Sequence, residues 1–173
     1  SMLGYGSLSG SYAGVWDTRG PSFHIDSKVE RLNIHQGNVK DMKVAMTYET
    51  GKLDVMATVE NEQMQGGVLL AYDLSDSLNF LSTRGQLRID ELAAFGLDIK
   101  GGQEALETSF EIIHAGQENK SFTNLSLTDF KYTCDTATFT IDKISMEDNQ
   151  KGDHNTTTLK SDVVDLFISG NFR

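Results

Sequence analysis

Residues 122–172 read FTNLSLTDFKYTCDTATFTIDKISMEDNQKGDHNTTTLKSDVVDLFISGNF. Within this stretch Phe122, Leu125, Leu127, Phe130 and Tyr132 mark short extended segments, while Phe139, Ile141, Ile144 and Met146 interleave with Thr138, Thr140, Asp142 and Ser145. Side chains of a strand point alternately to opposite faces, so this spacing predicts sheet with one apolar face and one wet face. The polar tract EDNQKGDHNTTT at 147–158 reads as a turn. A last strand is expected over 159–168, with Val163 and Val164 adjacent where alternation would separate them, a doubling that suggests a bulge or a change of face.

The same period extends upstream. Phe23 and Ile25, Leu32 and Ile34, Met42 to Tyr48, Leu53 to Val59, Val68 to Tyr72, and Leu87 with Ile89 all alternate, with turn residues between them. Residues 43–48 and 52–59 form a hairpin through Glu49, Thr50 and Gly51. A helical turn capped by Asp73 or Ser75 is a possible interruption, and residues 90–95, stopped by Gly96, are the best short helix. EALETSFEIIHA at 104–115 is read as mainly strand around 108–114, although 103–107 alone would pass for helix. No apolar helical stripe lasts three turns, so helices are accessories. Short strands every 8 to 12 residues predict an all-β, antiparallel meander.

A chain of 173 residues suits one domain with a substantial core. Residues 1–20, opening on a Ser-Met that reads as a cloning remnant, are expected to be a leader or first strands, and residues 21–173 a single β domain cut from a longer protein. The formal net charge of -10 leaves no basic stripe to displace counterions from phosphates, which argues against nucleic acid and against docking on anionic membranes. No stretch approaches the roughly 20 apolar residues of a spanning helix.

Catalytic chemistry finds little footing. His24, His35, His114 and His154 belong to no metal-ligand spacing, and the single Cys134 forms no CxxC pair and has no local base. GYGSLSG holds no nucleophile elbow. Acidic pairs such as Asp73 with Asp76 or Glu147 with Asp148 fall in expected turns, and EDNQKGDHN lacks the alternating oxygens of a calcium loop. The expectation is therefore no enzyme, no cofactor and no metal. Tyr5, Tyr12 and Trp16 are the one aromatic cluster that would stack on sugars.

The run SDVVDLFISGNF at 161–172, preceded by a strand, a polar turn and TTTLK, together with LRIDELAAFGLDIKGGQEAL followed by TNLSLTDFKY upstream, resembles one repeat of TamB-like translocation and assembly proteins of the AsmA-like group, especially those of Bacteroidetes. The likeness covers about residues 21–172. It implies a sheet curled into an open, taco-like hydrophobic groove that carries or shields lipid acyl chains or outer-membrane substrates. It also implies a periplasmic location, a parent protein anchored in the inner membrane, and an outer-membrane barrel partner of the TamA type. Alternation alone leaves a closed β-sandwich open as the other fold, with carbohydrate binding or a spacer role as the other function. In the groove reading the lining is Val44, Met46, Leu53, Val55, Val68, Leu70, Leu87, Ile89, Phe110, Ile112, Leu125, Leu127, Phe139 and Ile141, with Met42, Met46 and Met146 able to adapt to varied chains. Edge-to-edge self-association is expected of a segment cut from a longer sheet.

Overall fold

The computed structural model describes residues 6–17, 20–34, 36–74, 79–97, 102–117, 119–135 and 137–171. They form one antiparallel sheet in strict sequence order: β1 (Gly6–Asp17), β2 (Gly20–Ile34), β3 (Gly37–Glu49), β4 (Lys52–Glu60), β5 (Met64–Asp73), β6 (Asn79–Ile89), β7 (Glu104–Gln117), β8 (Lys120–Cys134), β9 (Ala137–Lys151), β10 (His154–Ser161) and β11 (Asp165–Gly170). β1 and β11 are the two edges, so the sheet is not closed, and the sandwich alternative is set aside. The chain exposes 11753 Å² of surface, about 40% more than the roughly 8,400 Å² of a compact chain of this mass.

Turn chemistry fixes the register. Thr50 and Gly51 both hold positive φ, 47° and 83°, in the two-residue loop between β3 and β4, the I′ pattern whose twist matches the flanking strands. The tract expected to be one long turn is mostly strand. Only Gly152 and Asp153 turn, Gly152 with φ 61°, and Lys151 pairs with His154 on either side. The Val163–Val164 doubling is a tight reversal rather than a bulge: the Ser161 amide donates to the Val164 carbonyl, and the Val163 and Val164 amides donate to Ser161 Oγ. The expected last strand is thus split into β10 and β11.

Strands are longer than the alternation suggested, because two of them change phase without ending. Asp41 in β3 (φ 56°) and Asp129 in β8 (φ 54°) sit in the left-handed region. Each lets residues three apart, Val39 and Met42 or Leu127 and Phe130, fall on one face. At Asp129 the register against β7 also shifts between Glu107 and Ser109, a bulge that bends the strand. Phe23 to Ile25 and Leu32 to Ile34, separate segments in the alternation, are one strand, β2.

The expected short helix is a single 3-10 turn, Leu92–Phe95, ended by Gly96 at φ 72°. Residues 75–78, where a second helical turn was considered, lie outside the described residues. The Leu92–Phe95 turn carries the most buried apolar cluster: Leu92 and Phe95 with Val39, Ile89, Tyr132 and Cys134. Phe95 lies where a Cβ on Gly37 would be, 2.5 Å away, and the Gln36 amide donates to the Ala94 carbonyl. In a flat sheet β3 and β8 stand five spacings apart, about 24 Å. Phe95 touches β3 at Gly37, and one buried cluster joins the turn to Val39 of β3 and to Tyr132 and Cys134 of β8, which fits a sheet curled toward this face.

Candidate functional site: an open apolar face with a polar end

Directly paired residues of antiparallel neighbours share a face, so the ladder assigns a face to each paired residue. One row crosses all eleven strands: Tyr12, Ile25, Met46, Val55, Leu70, Thr83, Ile112, Leu125, Met146, Leu159 and Leu166. Thr83 is its one polar member. At about 4.8 Å per strand the row is about 48 Å long, roughly three times one leaflet's share of a 30 Å hydrocarbon core. Beside it runs Val44, Ala57, Val68, Gly85, Phe110, Leu127 and Ile144. Gly85 leaves room for the Phe110 ring, whose Cζ stands 2.9 Å from where a Cβ would be.

Every position expected to line the groove lies on this face. Val44, Met46, Val55, Val68, Leu70, Phe110, Ile112, Leu125 and Leu127 belong to the two rows above. Leu53 lies between Tyr48 and Tyr72, and Leu87 between Gly66 and Thr108. Phe139 and Ile141 pair with Tyr132 and Phe130. Ile89 differs in setting. It is 3% exposed under the Leu92–Phe95 turn and belongs to a closed core rather than to an open wall. Met42 and Met146 share the face, and Ile25, Leu159 and Leu166, which were not among the expected lining positions, extend the row toward the edges.

The opposite face is wet. Asp26, Ala45, Met56, Leu69, Arg84, Glu111, Ser126, Ser145, Lys160 and Asp165 form its matching row. A shallow depression of about 360 Å³ there lies where the small side chains of Ala45, Ala71 and Ser82 leave a valley, lined also by Thr47, Asp54, Met56, Leu69 and Arg84.

At the end away from the Leu92–Phe95 turn the apolar face changes character across the sheet. Phe23, Tyr48, Leu53, Tyr72 and Leu81 are followed in the same row by His114, Thr123, Asp148 and Thr157. Phe23 and Tyr48 stack with centroids 5.2 Å apart. His114 Nδ1 and Thr123 Oγ1 are 2.8 Å apart, and the Thr157 hydroxyl donates to the Asp148 carboxylate. One step further out lie Ser121, Gln150 and Asn155, and Asn155 Oδ1 is buried with no hydrogen-bond partner. Sequence reasoning missed this cluster because it took 147–158 for a turn. The available signal was that Asp148, Gln150, Asn155 and Thr157 keep period two on either side of Gly152-Asp153.

The histidines are scattered: His24 bonds Thr47 and Asp26 on the wet face, His154 bonds Ser169 and Asn171, and His35 lies outside the described residues. Cys134 is buried at the end of β8. Asp76 and Tyr5 lie outside the described residues, whereas Tyr12 and Trp16 are 88% and 81% exposed on the edge strand β1. In the closed cluster the Tyr132 hydroxyl has no partner in good hydrogen-bond geometry; burial and the nearby Glu104 carboxylate push its phenol up to about 12. Among the described residues no helix is long and apolar enough to cross a membrane. Comparisons with family models, curated proteins and solved structures find no match to this chain.

Proposed function

We propose that the chain is a TamB-like segment whose apolar face carries or shields lipid acyl chains, in a periplasmic parent protein that is anchored in the inner membrane and reaches an outer-membrane barrel partner. The observation that carries the lipid reading is the apolar row across all eleven strands on a face that no second sheet covers among the described residues. An apolar surface of this extent on one face is a binding surface or a liability. An acyl chain gains about 0.8 kcal/mol for each methylene it buries, so partition alone holds it. The work is shielding and passage rather than bond making, so no catalytic group is required. The setting in the cell rests on the resemblance alone. The carbohydrate alternative assumed a sandwich; Tyr12 and Trp16 instead stand on an edge strand of an open sheet.

A photoreactive side chain at Leu70, with its neighbour Leu69 on the wet face as control, tests the reading in membranes containing clickable fatty acids. Acyl adducts at Leu70 and none at Leu69 are expected. Equal labelling at the two positions, or none at Leu70, contradicts it.

A further inference from the structure

On the apolar face the ladder places no lysine or arginine among the described residues, and only two carboxylates, Glu104 and Asp148. Glu104 is 1% exposed in the closed end. Asp148 stands at the other end, next to the apolar row through its strand neighbour Met146, with Thr157 donating to its carboxylate. Around it lie the Thr157 hydroxyl oxygen, the Thr123 hydroxyl 2.8 Å from His114 Nδ1, the Gln150 amide, whose oxygen accepts from the Ser121 hydroxyl, and the Asn155 carbonyl, which has no partner. A carboxylate with one hydroxyl donor keeps free lone pairs, and a buried amide oxygen without a partner is a group that a ligand donor would satisfy.

We infer that this polar end is a head-group subsite of the groove, and that its ligand is an amphiphile with a primary ammonium head and an alkyl tail along the apolar row. The inference rests on the groove reading above. An –NH3+ group brings three donors and a charge to a site that offers acceptors and one negative charge. A quaternary ammonium brings the charge without the donors. An anionic head meets Asp148 and, among the described residues of this face, no lysine or arginine.

The test titrates the full chain with decylammonium, decyltrimethylammonium and decyl maltoside, each below its micelle-forming concentration. Binding is read as protection of a cysteine placed by Leu125→Cys in a Cys134→Ala background. Decylammonium is expected to bind about tenfold more tightly than decyltrimethylammonium. Asp148→Asn is expected to abolish that preference and leave decyl maltoside unchanged, while Asp54→Asn, which removes the same charge from the wet face, changes neither. Thr157→Val, which frees the carboxylate to swing, should weaken the preference if Asp148→Asn fails to fold. Protection by all three amphiphiles without head-group preference overturns the subsite and leaves the groove standing. No protection by any of them overturns the groove and the subsite together.

Discussion

Asp41 and Asp129 hold φ values of 56° and 54° inside strands, where a side chain with a Cβ costs about 1–2 kcal/mol, and each marks the point at which its strand changes phase. Asp41 recovers part of that cost through Lys28, whose ammonium lies 2.6 Å from it and holds the carboxyl below its ordinary range. Both partners are more than a third exposed, so solvent screens the ion pair and it offsets little of that cost. Asp129→Gly is therefore expected to raise stability in urea by about 0.5–1 kcal/mol, and Asp129→Val to lower it by about 1–2 kcal/mol. Equal effects of the two would show that the left-handed backbone is not what the position demands. Tyr132 makes a prediction in pH. Its folded phenol titrates near 12 against about 10 when unfolded, so the folded state holds the proton more tightly. That contribution is intact below about pH 10 and is lost as pH rises toward 12. Tyr132→Phe should flatten the fall in stability across this window, and an unchanged alkaline unfolding curve would assign the fall to other groups.

The Leu92–Phe95 turn is the element that closes one end of the sheet. Phe95→Ala is expected to cost about 3–5 kcal/mol and to speed hydrogen exchange at the Gln36 amide, which bonds the Ala94 carbonyl. Gly37→Ala, whose new Cβ would meet the Phe95 ring, should do the same more weakly. Exchange at Gln36 that ignores both substitutions would mean that the turn does not hold the tips. This turn was legible in the sequence, because Gly96 ends it, and so was the β3–β4 hairpin, because Thr50-Gly51 leaves the chain few other options. The length of β2, β3, β8 and β9 was not. A phase change at an aspartate looks in sequence like the end of a strand, and only the neighbouring ladder shows that pairing continues through it. The polar end was hidden for a different reason. Residues 147–158 have the composition of a turn, yet β8 and β10 supply ladder partners, and Thr156 to Thr158 are β-branched residues that suit a strand.

At the scale of the whole molecule, two kinds of apolar residue share one face: those under the Leu92–Phe95 turn and those in the open rows. Ile89→Asp and Val39→Asp place a charge in a closed cluster, at 3% exposure, and are expected to unfold the chain or cost several kcal/mol. Leu127→Arg and Ile141→Asp place one on an open wall, where water reaches it, and should leave a folded chain that no longer takes up acyl chains. Circular dichroism with acyl crosslinking distinguishes these outcomes, and loss of fold at Leu127 or Ile141 would indicate that the wall is covered. The edge strands β1 and β11 expose Val15, Trp16 and Phe167 at 64%, 81% and 64%, so concentration-dependent association in sedimentation velocity is expected, and a strictly monomeric chain would argue against edge pairing. The most direct test of the open face is hydroxyl-radical footprinting of the side chains, with and without decyl maltoside. Met46, Leu70 and Leu125 should be oxidised in the free chain and protected by the amphiphile, while Leu92 and Phe95 remain unlabelled in both. Met46, Leu70 and Leu125 unlabelled in the free chain, or labelled to the same extent with the amphiphile present, would contradict it.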